Sequence, residues 1–122
     1  MTEDPMLEAP EPAAACRDAI LEWGQLAQLA DFAERRHGYG NSNSGSGITY
    51  PGDLDEYSIH VLGIHIPPGS LLVYGLAFAI PPGWERLVEE RVYLQVLAEV
   101  LEEHGLAAEG RRVLALLNGQ SD

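Results

Sequence analysis

The four-residue word Ile-Pro-Pro-Gly occurs twice, at Ile66–Gly69 and again fourteen positions later at Ile80–Gly83. Proline followed by glycine suits the central pair of a type II turn, because proline presets its own φ and glycine accepts the positive φ that follows. The two turns bracket Leu71–Ile80, LLVYGLAFAI, and together they predict a three-stranded antiparallel meander. Its first strand runs from Tyr57, with Tyr57, Ile59 and Val61 alternating with Ser58, His60 and Leu62. Gly63 marks a bulge, after which Ile64 and Ile66 continue the pattern. The third strand is Trp84–Val88. The middle strand is apolar on both faces, so both are expected to be covered. One face shows Leu72, Tyr74, Leu76, Phe78 and Ile80. The other shows Leu71, Val73, Gly75, Ala77 and Ala79, small enough for a helix or another sheet to come close.

From Tyr57 to Trp84 there is no Asp, Glu, Lys or Arg. A membrane-spanning helix needs about 20 unbroken apolar residues, and the two proline pairs cut this stretch into pieces too short for that. A membrane partner is therefore not expected.

Helices flank the meander. Ala13–His37 reads as one helix, with Cys16, Ile20, Trp23, Ala27 and Ala30 recurring at spacings of three and four. Gly24 is a weak point in it, and Gly38 ends it after Arg35, Arg36 and His37. A second helix runs from Glu89 or Glu90 to His104, with Tyr93, Leu94, Leu97, Val100 and Leu101 on one face. Gly105 followed by Leu106 has the form of a Schellman stop. A shorter helix, 107–117, offers Val113, Leu114, Leu116 and Leu117. The fold class expected is α+β: an N-terminal helix, a three-stranded antiparallel meander, and two C-terminal helices packed on the sheet. A chain of 122 residues fits one domain. Residues 1–12, with three prolines and four acids, read as a flexible acidic tail, and residues 13–122 as the domain. Within it, residues 38–56 are a Gly/Ser-rich loop, poor in side chains that pack.

The formal net charge is −12, from 19 acids against seven arginines and no lysine. Such a field repels phosphate backbones and anionic lipid, and favours basic partners. Acidity also serves solubility alone, and composition does not separate the two. Without lysine there is no Schiff-base chemistry and no P-loop lysine. Cys16 is the sole cysteine, so neither an intramolecular disulfide nor a multi-cysteine zinc site can form.

The candidate chemical groups are sparse. His60 and His65 are imidazoles at odd spacing, on opposite faces of a regular strand, and lack the third and fourth ligands a metal needs. Asp53, Asp55 and Glu56 form an acidic cluster that does not follow the EF-hand pattern. The serines Ser42, Ser44 and Ser46 lie in a loop that leaves a helix, whereas phosphate-cradling loops enter one. The two C-terminal helices resemble a helix-turn-helix only in outline, since Glu99, Glu102, Glu103 and Glu109 surround Arg111 and Arg112. No cofactor, metal or catalytic set is expected.

The reading that follows is a small acidic protein-binding domain of the bacterial cytoplasm, of the immunity or antitoxin kind, which binds and masks a basic protein such as a toxin or secreted effector. Its contact residues are expected to be Asp53, Asp55 and Glu56, then Glu99, Glu102 and Glu103, with Tyr50 and Trp84 as aromatic anchors. It acts as a monomer or homodimer, and nucleic acid is not its partner. Two alternatives stand beside it. One is a dimeric, acidic secretion-type chaperone. The other is a small ligand-binding or enzymatic domain built on Tyr57, His60, His65 and Tyr74.

Overall fold

A computed structural model describes residues 11–41, 45–61, 63, 65–75 and 84–119. The tail up to residue 10, the far half of the predicted middle strand and the second Ile-Pro-Pro-Gly turn lie outside them. The fold is α+β. Helices α1 (Pro12–Trp23) and α2 (Gln28–Arg35) are followed by strands β1 (Tyr39–Asn41) and β2 (Ser46–Thr49). A 3-10 turn (Pro51–Asp53), a short helix α3 (Glu56–His60), strands β3 (Ser70–Gly75) and β4 (Trp84–Glu89), and helices α4 (Glu90–Glu103) and α5 (Ala107–Gly119) complete it. The strands form one antiparallel sheet in the order β1-β2-β3-β4.

The expected N-terminal helix is two helices. Gly24 takes φ +86° and ends α1, and the chain turns before Gln28. The break serves an aromatic cluster. Trp23 and Phe32 sit edge to face with ring centroids 5.9 Å apart, and both meet Tyr39. On a continuous helix nine residues would separate them by about 13.5 Å of axial rise. The turn at Gly24 closes that gap, and Trp23 Nε1 donates across it to Gln28 Oε1 at 3.2 Å.

The stretch expected to be a loop supplies two strands. Gly40 lies opposite Gly47 across the β1–β2 pair, and the Tyr74 phenol of β3 sits over both. A β-carbon on Gly40 would stand 2.7 Å from the Tyr74 hydroxyl oxygen, and one on Gly47 2.5 Å. These glycines give up side-chain packing to make room for a neighbour's ring. Ser46, Gly47 and Ile48 are buried.

The predicted first strand is not a strand. Glu56–His60 is helical, with Ile59 N donating to Asp55 O (3.1 Å) and Val61 N to Tyr57 O (2.9 Å). The physical reason is occupancy. Strand β3 is paired on one edge with β2, through Gly47–Tyr74, Ile48–Val73 and Thr49–Leu72, and on the other with β4. No edge of β3 is left for residues 57–61.

Strands β3 and β4 keep their predicted places. Leu71, Val73 and Gly75 are buried, and α1 packs across β2 and β3. The opposite face, with Leu72 and Tyr74, is only half-buried over the described residues, where full cover was expected. Helix α4 packs on α1 and α5, and α5 on α4 and α2. The predicted stop after α4 is present as a complete Schellman motif: Leu106 N donates to Leu101 O (2.8 Å) and Gly105 N to Glu102 O (3.1 Å), with Gly105 at φ +79°. Arginines clip the helices to one another. Arg17 of α1 meets Glu103 of α4, and Arg112 of α5 binds both Asp31 and Glu34 of α2. Cys16 is buried, and burial pushes its thiol up to about 12, so it stays protonated and unreactive at neutral pH.

Candidate functional site

Between β2 and β3 the chain leaves the sheet at Tyr50 and returns at Ser70. Asp53 pins the departure. Its Oδ2 accepts from Tyr50 N and from Gly38 N, both at 2.8 Å, and its Oδ1 stands 3.6 Å from His37 Nδ1. The first Ile-Pro-Pro-Gly word makes the return: Ser70 N donates to Pro67 O (3.1 Å) around Gly69 at φ +81°, as the sequence predicts. Gly69 O then accepts from Glu90 N at 2.8 Å, tying the return to the start of α4.

The excursion carries α3, and α3 is poorly covered. Tyr57 is 60% exposed, Ile59 45% and Val61 64%. A five-residue helix is marginal by itself, and here its large apolar side chains gain little from packing. Asp55 and Glu56 enter it from the acidic side, and both are exposed.

The expected contact residues fall into three groups. Tyr50 and Trp84 are core residues, 2% and 8% exposed, so neither is placed to anchor a partner. Trp84 lies over Gly75, where a β-carbon would come within 2.5 Å of its ring. Asp53 is engaged in holding the excursion. Asp55 and Glu56 stand in solvent, as do Glu99, Glu102 and Glu103 on α4, where Glu103 is paired with Arg17. The alternation of Tyr57, Ile59 and Val61 was legible in the sequence as apolar patterning, but strand periodicity pointed it toward the core. His60 and His65 are exposed, and Tyr74 belongs to the outer face of the sheet. Among the described residues no three His, Cys, Asp or Glu side chains converge on a point that would hold a metal.

No family model, curated protein or solved structure matches this chain. Its chemistry is therefore read from its own surfaces.

A cleft of about 960 Å³ opens where the two feet of the excursion meet the end of α2 and the start of α4. Glu90 is buried there, and Arg36 Nε contacts both its carboxylate oxygens, at 3.0 and 3.2 Å. Arg36 takes φ +50°, the only non-glycine residue with positive φ among those described. It closes a Schellman turn in which His37 N donates to Phe32 O and Arg36 N to Ala33 O. Glycine would occupy that position at lower cost. Burial raises the Tyr50 hydroxyl well above the usual phenol range, with the nearby Tyr93 hydroxyl and Glu90 carboxylate adding to it. Among the described residues that hydroxyl has no hydrogen-bond partner. No helix among the described residues is long and apolar enough to cross a membrane.

Proposed function

We propose that this chain is a small acidic protein-binding domain of the immunity or antitoxin type, which masks a basic protein partner, a toxin or secreted effector, in the bacterial cytoplasm. The observation that carries the reading is the exposure of Tyr57, Ile59 and Val61 within five residues, beside Asp55 and Glu56. Isolated exposed apolar residues are ordinary on a protein surface, whereas a group of them rimmed by charge is characteristic of contact sites. Burial of α3 against a partner would supply the packing it lacks alone. The net charge of −12 would speed the encounter with a basic surface.

Affinity capture from the native cell, with wild-type protein and a Tyr57→Asp/Val61→Asp double variant, tests this. The expected result is a stoichiometric basic partner held by the wild type and lost from the variant, with the melting temperature unchanged. Equal recovery of the same partner by the variant would remove α3 as the contact.

The same exposure also suits a secretion-type chaperone, which holds an unfolded client on apolar surface. Light scattering separates the two. A one-to-one complex with a folded partner supports masking, and a dimer bound to an unfolded segment supports the chaperone.

A further inference from the structure

The cleft beside the excursion has a charge arrangement at odds with the rest of the molecule. Acids outnumber arginines 19 to seven, so an arginine has many carboxylates to choose from. Arg17, Arg36 and Arg112 each take one or more. Arg35 and Arg91 are exposed, and among the described residues neither forms an ion pair, yet both line this one cleft. The carboxylates beside them are largely answered already: Asp31 and Glu34, which also feel the charge of Arg35, by Arg112, Glu90 by Arg36, and Asp53 by two backbone N–H groups and His37. Glu89 is the remaining one. Two further features point inward. The 14-residue helix α4 starts on the cleft with no side chain capping it, so its first-turn N–H groups after Glu90 N, which Gly69 O already holds, and the positive end of its dipole face that way. Tyr50, which lines the cleft, holds a buried hydroxyl with no partner among the described residues; a buried unpaired hydroxyl is costly and calls for an acceptor.

We infer that this cleft binds a compact oxyanion, a phosphate or carboxylate group of a small molecule, through Arg35, Arg91 and the first turn of α4, with Tyr50 beneath. The inference is independent of α3 and of any protein partner. The overall negative field opposes an anion at long range, so the selectivity must come from these short-range donors.

The test is titration of the full chain with inorganic phosphate and with succinate at constant ionic strength, followed by backbone amide NMR. Arg35→Gln, Arg91→Gln, Tyr50→Phe and, as a control away from the cleft, Arg111→Gln are compared. The expected result is saturable shifts at residues of the α2 end, the 50–53 turn and the α4 start with at least one of the two anions. Affinity should fall about tenfold or more in Arg35→Gln and Arg91→Gln and stay unchanged in Arg111→Gln, charge-assisted hydrogen bonds being the larger ones. Tyr50→Phe should weaken binding while the spectrum stays folded. Shifts that do not saturate with either anion, or equal loss in Arg111→Gln, would overturn it.

Discussion

The hydroxyls of Tyr39 and Tyr93 share a hydrogen bond of 2.8 Å in the core, joining strand β1 to helix α4. Both rings are buried, and burial pushes both phenols well above their usual range, so each remains a neutral donor or acceptor. Removing one partner strands the other. Tyr93→Phe should therefore destabilise the fold by about 1–3 kcal/mol, and Tyr39→Phe similarly. The double variant should lose less than the sum of the two, because it leaves no hydroxyl unpaired. Urea unfolding of the four proteins measures the coupling, and strict additivity would mean the pair is not a working hydrogen bond.

Gly40 and Gly47 offer a sharper steric test. A β-carbon on Gly40 meets chiefly the Tyr74 hydroxyl, whereas one on Gly47 also meets Tyr39 O and the Gly40 α-carbon. Gly40→Ala and Gly47→Ala should each cost about 1–3 kcal/mol through overpacking. Adding Tyr74→Phe should rescue Gly40→Ala and leave Gly47→Ala impaired, since backbone does not yield. Thermal unfolding of the paired variants gives the answer directly.

Substitution of Trp84 separates core from surface. Trp84→Ala should destabilise by about 3–5 kcal/mol, the range for emptying a large aromatic site. Tyr57→Ser or Val61→Ser should stay within about 0.5 kcal/mol of wild type. Comparable losses at all three positions would show α3 to be buried in solution.

The contact of Arg112 with Asp31 and Glu34 predicts a pH dependence. Its hydrogen bonds hold both carboxyls below their ordinary values of 3.8 and 4.5. A carboxyl with a depressed folded pKa contributes stability that is present above its unfolded value and is lost as pH falls through the folded one. Wild type should thus melt above Arg112→Gln at pH 7, and the difference should shrink below about pH 4 and vanish in stronger acid. Both carboxyls are exposed and Arg112 is half-buried at the surface, so added salt should reduce the gap. A difference constant from pH 7 to pH 2 would assign the effect to packing of the arginine stem.

Where structure follows from residues adjacent in the chain, the sequence was a good guide. The Glu90–Glu103 helix, its stop at Gly105 and Leu106, the turn at Pro68 and Gly69 and the β4 strand are all encoded by short-range periodicity and by the φ preferences of proline and glycine. The small residues Val73 and Gly75 correctly marked a face of β3 open to close approach, and it is a helix, α1, that lies there. The α+β class came from the same local signals. The exposed acids Glu56, Glu99 and Glu102 were likewise legible, because a charged side chain stays in water unless the fold builds it a partner, as it does for Glu90 with Arg36.

Three features depended on partners far along the chain, and these the local pattern misread. Gly24 ends a helix because Trp23 and Phe32 both have to reach Tyr39. Glycine-rich sequence at Gly40 and Gly47 becomes a hairpin because Tyr74, about thirty positions on, fills the space their missing side chains leave. Tyr57, Ile59 and Val61 alternate as a strand does, but hydrogen bonding needs an open edge, and β2 and β4 already hold both edges of β3. Sequence by itself determined which segments prefer helix, turn or strand and how the charge is distributed. Tertiary structure decided which strands had a free neighbour, and so which apolar residues were left facing water.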